Sequence, residues 1–314
     1  MEKKYSKYGY GFIAPFFLVF ATFSLYPVFY TLYLSFTRYP GYGKPVLVGL
    51  KQYSLVLGDS MFWESLSNTV RMWGVNIVLQ IALAVVLVMI FSDIKYKVKG
   101  LKFFRVVYYL PNLISAAVVA MIFAKVLDSN YGILNEILGK MGFITEPIKW
   151  LTKPFLAQMS VSGVQTWMWF GNSFILFIAS VQAVSKDLFE AARVDGANRF
   201  QILRNITIPS IKPIVIYVLI TGLIGGLQLF DIPYLLTDGL GAPSGGLNTV
   251  VVYIYNKAFT YNAYGIAAAA SYILFTIITI VAIVFLIMGN RSSIKAHFAK
   301  RKEMRLSKEG GRNE

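Results

Sequence analysis

Cysteine is absent from the 314 residues, so neither a disulfide framework nor a thiolate metal site is available. The single histidine, His297, lies in a basic tail, which removes histidine metal clusters and His-dependent triads. Charge is scarce too: Asp, Glu, Lys and Arg supply 14% of the chain, against about 25% in a soluble domain. No Gly-x4-Gly-Lys-Ser/Thr occurs, and the Gly-rich stretch 239–246 holds no lysine, so nothing here cradles nucleotide phosphates. Paired acids and nucleophile–base sets are missing from the apolar segments, which argues against a membrane-embedded enzyme.

Apolar sequence fills the space that charge leaves. The chain is 56% hydrophobic with a mean hydropathy of +0.59, the composition of a polytopic membrane protein. Crossing roughly 30 Å of hydrocarbon takes about 20 residues of helix. Six segments, uncharged except for Asp231 near the end of the fifth, approach that length, near 11–36, 72–91, 106–124, 155–181, 213–236 and 265–288. They predict an all-α fold of six transmembrane helices, because barrel strands show short alternating segments instead. Pro15 and Pro27 are expected to bend or interrupt the first span. The fifth is the weakest, with Gly222, Gly225 and Gly226 before Gln228 and Asp231. Lys3 and Lys4 before an apolar run superficially resemble a leader peptide. That run is too long and lacks a small-x-small site, so it is expected to be the first span.

Basic residues orient the spans. Of the 30, 21 fall in the N-terminus, 92–105, 184–212 and the tail 290–314, and nine in the three alternate loops. Both termini and 184–212 are therefore expected in the cytoplasm. The net charge of +15 follows from this topology, and a nucleic-acid partner becomes unnecessary. The basic run 95–105 suits contact with lipid headgroups. On the outer side, the first loop is turn-rich (Gly41, Gly43, Pro45, Gly49), the second should carry a surface helix at 133–141, and 237–248 is Gly-rich. One domain, 1–314, accounts for the chain.

One polar stretch, 185–213, interrupts the second half between two apolar segments. It predicts two short helices. Asp187 can cap the first, Gly196 breaks the run, and a second amphipathic piece carries Phe200, Ile202, Leu203 and Ile206 to Pro209 and Pro213. Within it stand Glu190-Ala191-Ala192, then Gly196, then Ile206-Thr207-Ile208-Pro209. This resembles the coupling loop of binding-protein-dependent ABC importer permeases, whose signature is Glu-Ala-Ala, three residues, Gly, nine residues, Ile-x-Leu-Pro. Ile208 replaces the leucine and keeps its apolar volume.

The resemblance implies the type I ABC importer permease fold in a bacterial cytoplasmic membrane. It also implies a second homologous permease subunit, two ATPase subunits that hold ATP and magnesium, and an extracytoplasmic sugar-binding protein. Coupling would pass through Glu190, Ala191, Ala192, Asp195, Gly196, Phe200, Leu203, Ile206 and Pro209 of loop 185–212, with Leu188 beside them. No cofactor is expected in this chain.

Polar residues within the spans include Asn112, Ser115, Gln158, Gln165, Asn172, Gln182 and Gln228. Such groups bond helix to helix or line an aqueous pathway. Gln158, Gln165 and Asn172 are seven apart, hence on one helical face that Trp169 joins. Amides and rings suit a neutral polyhydroxylated ligand, whereas an ion path would show more intramembrane carboxylates. Leu110-Pro111, Phe230-Asp231 with Leu235–Gly239, and Tyr253-Ile254-Tyr255 with Ala258-Phe259 also look like carbohydrate-uptake permeases of the maltose-transporter type. That resemblance implies a pathway at Gln165, Trp169 and Asn172, with Asn112, Ser115 and Gln228 as further members. The residue types differ from the maltose pattern. An importer of another polar solute, such as glycerol phosphate, and a secondary transporter stay open as alternatives.

Overall fold

The computed structural model describes residues 2–91 and 100–289, with side chains from 10–91 and 100–288. The basic residues Lys95, Lys97 and Lys99, together with His297 and the 290–314 tail, lie outside the described residues. Helix α1 (Glu2–Phe20) passes through a π-helical turn at Ala21–Leu25 into α2 (Tyr26–Ser35). Pro27 falls just after that widened turn, where its missing N–H costs least, so the first span stays continuous. An antiparallel ribbon of β1 (Thr37–Arg38) and β2 (Val46–Leu47) follows, then α3 (Lys51–Leu57). Next come α4 (Ser60–Phe91), α5 (Leu101–Leu113), α6 (Ala116–Val126), α7 (Ile133–Lys140) and α8 (Pro154–Gln182). Helix α9 (Lys186–Val194) leads into α10 (Arg199–Ile202), a π-turn at Leu203–Thr207 and α11 (Ile208–Leu227). The short α12 (Asp231–Thr237) and α13 (Val250–Tyr255) precede α14 (Tyr264–Gly289).

Among the described residues five helical runs are long and apolar enough to cross a bilayer, and the bent pair α5–α6 makes a sixth if counted as one span. Pro111 inside α5 and the extended backbone of Ile114 and Ser115 turn that pair through 92°. The third span, expected over 106–124, is therefore broken. The second begins earlier than expected, at Ser60, and one face of its polar first half, with Ser65, Asn68 and Thr69, is buried against protein.

Helices α4 and α8 are joined by a polar ladder. Gln158 Nε2 donates to Asn68 Oδ1 (2.9 Å), Ser162 Oγ to the Met72 carbonyl (3.1 Å), Thr166 Oγ1 to Asn76 Oδ1 (3.2 Å), and Gln80 Nε2 to Ser173 Oγ (2.7 Å). Partners advance together along both chains, so the two helices run parallel. The α5–α6 pair between them must then carry the chain back. Interhelical bonds of this kind contribute about 0.6 kcal/mol each, and their spacing fixes register.

The other contacts set the remaining directions. Gly222 and Gly226 of α11 face Ile77 and Trp73 of α4, hence antiparallel. Tyr272 Oη of α14 donates to the Val28 carbonyl (2.6 Å), while Gly265 lies against the Thr37 carbonyl. The start of α1, the end of α14 and the 183–207 segment accordingly share one end of the bundle. The ribbon, α3, α7, α12 and α13 gather at the other.

Candidate functional site

The 185–212 segment folds as a knob at the end it shares with the termini. Ser185, not the expected Asp187, caps α9: its Oγ accepts from the Asp187 N–H (3.2 Å) and donates to Asp187 Oδ2 (3.1 Å). A serine one residue outside the helix can take the extended backbone of a cap, whereas Asp187 is already helical. Phe189 turns inward at 6% exposure and packs in the cluster built by Phe177, Ile178 and Val181 of α8. With that face anchored, Leu188, Glu190, Ala191, Val194 and Asp195 face outward, and Ala192 is half-buried. Val194, 89% exposed, was not anticipated; its signal is an apolar residue off the Phe189 stripe.

Gly196 ends α9 at φ +78°, a conformation that favours glycine, and a Cβ placed there meets nothing within the chain. Asn198 and Gln201 then form a reciprocal capping box: Asn198 Oδ1 accepts from the Gln201 N–H (2.9 Å) and Gln201 Oε1 from the Asn198 N–H (2.7 Å). This Asn-x-x-Gln pattern was readable in the sequence and marks the second helix start. Phe200 beside it is 63% exposed.

Two expectations change beyond this point. Leu203, placed on the docking face, is 8% exposed and buried in the chain itself, and Ile206 packs half-buried on the Phe177–Phe189 cluster. The second piece also does not end at Pro209 and Pro213. It runs through the π-turn straight into α11, with Pro209 exposed in the first turn and Pro213 within the helix. The widened turn leaves room for the N–H that Pro209 lacks. Hence α10 is the head of the fifth span rather than a separate helix, and any load on Phe200 passes along one rod.

The expected interior face divides. Gln158 is consumed: it is 3% exposed and donates to Asn68 Oδ1 and to the Gly246 carbonyl (both 2.9 Å). Asn68 Nδ2 also donates to the Gly245 carbonyl (3.0 Å), so the pair clamps the Gly-rich 237–248 loop into the bundle. That loop, read from sequence as an outer turn, buries Leu247 beside α8. Gln165 and Asn172 are half-buried and Trp169 is exposed, and none has a side-chain hydrogen bond to another described residue. They form a stripe beside the polar ladder, free of it. Asn112 is half-buried just before the α5–α6 bend, and Ser115 caps α6, its Oγ accepting from the Val118 N–H (3.4 Å). Gln228 sits exposed at the gap between α11 and α12. Gln182 lies at the end of α8, accepting from Arg105 Nη2 (2.7 Å).

At the opposite end Asp59 ties three elements together. Its Oδ2 accepts from Tyr253 Oη (2.8 Å) and pairs with Lys257 Nζ (3.0 Å), while Oδ1 accepts from the Met61 N–H (3.0 Å). Partial burial alone would raise the Asp59 carboxyl, but hydrogen bonds from Lys257, Tyr253 and Met61, with the Lys257 charge, hold it below its ordinary 3.8. Burial, then the hydrogen bond and charge of Asp59, push the Tyr253 phenol far above 10. A depressed carboxyl stabilises the fold above its unfolded value and loses that contribution as pH falls through its folded value. Protection factors of α13, which correct exchange for its intrinsic pH dependence, should therefore hold from neutrality into the acid range and fall as pH drops through the depressed Asp59 value, below its ordinary 3.8. Asp59→Asn should show fast exchange of α13 at pH 7 as well, and a wild-type pattern in that variant would remove Asp59 as the tie.

These features define a mostly helical integral membrane subunit with an exposed polar knob at one end. Residues 99–291 match the family described as binding-protein-dependent transport system inner membrane component, and the chain belongs to that family. It is a multi-pass membrane protein with the type I ABC permease fold. The chain is similar to the lactose transport system permease protein LacF of Rhizobium radiobacter, at 33% identity over 90% of this chain and 94% of that one. It is also similar to the arabinooligosaccharides transport system permease protein AraP of Bacillus subtilis, at 33% over 88% and 87%. The trehalose/maltose transport system permease protein MalF of Thermococcus litoralis matches at 31% over 92% and 96%. A chain from the crystal structure of a bacterial alginate ABC transporter, in complex with an alginate pentasaccharide-bound periplasmic protein, shares the fold. Its TM-score is 0.77 at 23% identity, over 94% of this chain and 96% of that one.

Proposed function

We propose that this chain is the permease subunit of an ATP-driven carbohydrate importer in a bacterial cytoplasmic membrane, forming half of the translocation pathway for an oligosaccharide. It is a non-catalytic subunit: ATP and magnesium belong to two partner ATPase chains, a second permease completes the pathway, and an extracytoplasmic binding protein delivers the sugar. The observation that carries this reading is the knob, where the segment around the Glu190–Pro209 motif presents Leu188, Ala191, Val194 and Phe200 outward around Gly196. An apolar surface between two spans at the terminal end has no partner within the described chain and fits a separate motor. Sugar as cargo is supported by relatives whose names specify lactose, arabinooligosaccharides and trehalose/maltose.

Helix α8 links the two ends of the device. It is continuous from Pro154 to Gln182 and carries the Gln165–Trp169–Asn172 stripe, and α9 is wedged against its end through Phe189. Motion of α9 driven by the motor would thus pass through the Phe189 contact to α8 and shift the stripe, which is how alternating access would reach the cargo. The termini and the knob lie on the cytoplasmic side in this reading, as the basic residues require.

Uptake by the reconstituted transporter tests it. Gln165→Ala and Trp169→Ala should each raise the half-saturating sugar concentration about tenfold, the effect of losing roughly 1.4 kcal/mol of contact. ATPase co-purification should be untouched. Transport by the permease alone, without an ATPase, would overturn the importer assignment.

A further inference from the structure

A cavity of about 380 Å³ opens at the end opposite the knob, within the ~300–1,000 Å³ range of small-ligand sites. Met61 and Glu64 at the start of α4 form one wall, Tyr234 and Asp238 at the end of α12 another, and Lys257 and Tyr261 a third. Its charges are unbalanced. Lys257 is already neutralised by Asp59 at 3.0 Å, whereas Glu64 and Asp238 are exposed and pair with no described cation. Asn248, another lining residue, has an enclosed Oδ1 without a hydrogen-bond partner. The cavity floor includes Gly245 and Asn248, from the loop whose other side is clamped by Gln158 and Asn68. That loop separates the cavity from the α4–α8 ladder.

Two uncommitted carboxylates offer acceptors to vicinal hydroxyls, and the exposed Tyr261 ring offers a face to sugar C–H groups, while Tyr234 is held in place by stacking on Phe230 and an edge contact with Tyr255. The same carboxylates repel an acidic saccharide, since no free cation among the lining residues offsets them. We propose that this cavity is an outer binding site for one end of a neutral saccharide, separate from the Gln165–Asn172 stripe, and that it discriminates against uronic acids. The proposal rests on the sugar-import reading above and adds to it a second site and a charge preference. A docked peptide loop of a delivery protein is the competing occupant. The observations favour sugar because both acids and the exposed Tyr261 ring line one small concavity.

Carbon-13 methyl NMR of methionine in the full-length permease, held in lipid nanodiscs, reads both places. Met61 lines the cavity, and Met168 lies on α8 beside the stripe. Lactose, arabinotriose and an alginate trisaccharide serve as probes. The expected result is a saturable shift of Met61 with at least one neutral probe and none with the alginate trisaccharide. Glu64→Gln and Asp238→Asn should each weaken that shift about tenfold, the loss of one hydrogen bond to a charged group. Asparagine tolerates the positive φ at 238, so the second variant keeps its backbone. A shift at Met168 alone would overturn the outer site and leave the importer reading standing. A Met61 shift that needs added binding protein would assign the cavity to protein contact and overturn the proposal, as would a response to the acidic probe equal to the neutral ones. Failure of the sugar-import reading shows separately, as absence of ATP-driven uptake of any neutral saccharide by the complete transporter.

Discussion

Gly196→Asp is expected to leave the permease inserted and folded while cutting ATP-driven uptake about tenfold or more, a loss of at least ~1.4 kcal/mol in the coupled step. Gly196 has φ +78°, where an aspartate is strained by about 1–2 kcal/mol but is tolerated better than most residues. A Cβ at 196 meets no atom of this chain, so the fold itself has little reason to object. In the assembled transporter the substituted carboxylate would sit between Val194 and Phe200, the most exposed apolar residues of the knob. Burying it there against a motor costs several kcal/mol unless it finds a partner. Uptake in proteoliposomes, paired with the yield of co-purified ATPase, decides the matter. Normal uptake with normal yield would remove Gly196 from the interface. Gly196→Asn, which accepts the same backbone without the charge, should fall between wild type and aspartate.

The second large effect concerns folding. Gly171→Ala should lower the melting temperature and membrane yield, whereas Gly163→Ala on the same helix should be neutral or mildly stabilising. Alanine is the better helix former at either site by up to about 1 kcal/mol, so propensity cannot separate them. Surroundings can. A Cβ at 171 would run into the Tyr108 carbonyl and the Tyr109 nitrogen of α5, which are backbone atoms that cannot rotate aside; at 163 it meets nothing. Moving α5 would disturb Tyr108 against Phe170 and Phe174, at ring-centroid distances of 5.7 and 5.6 Å, and the Arg105–Gln182 hydrogen bond. Overpacking typically costs about 1–3 kcal/mol where side chains can yield, and rigid backbone places this case at the upper end. Equal melting temperatures for the two variants would mean that α5 is not seated on α8 as described.

Much of this protein was legible before any fold was known, and the legible part is what local chemistry alone controls. Long uncharged runs have one stable use in a bilayer, because every backbone N–H and C=O must be bonded within the segment. The helical, multi-span character follows from that. Gly196 as a break was readable because only a glycine takes that conformation cheaply, and α7 emerged at Ile133–Lys140, close to the expected 133–141. The Asn198–Gln201 box was present as a pattern and went unread.

Tertiary structure decided which of several similar residues meets which partner. Gln158, Gln165 and Asn172 share a helical face by spacing, yet Gln158 ends up bonded to Asn68 and the 237–248 loop while the others stay uncommitted. The difference lies in a loop far along the chain that reaches the top of α8 and not its middle, and helical periodicity carries no record of distant segments. Leu203 and Phe200 look alike as apolar members of one amphipathic piece, but packing buries Leu203 within the chain and leaves Phe200 out. After the 92° break, α6 likewise packs beside α12, a contact that Pro111 in the sequence does not announce. The sequence by itself determined that the chain is a membrane helix bundle with an interrupted polar loop, because solvation of the backbone and the φ of glycine are local. Which amide faces a pathway, and which apolar side chain faces a partner, was settled only by packing, since each depends on atoms brought together from remote positions.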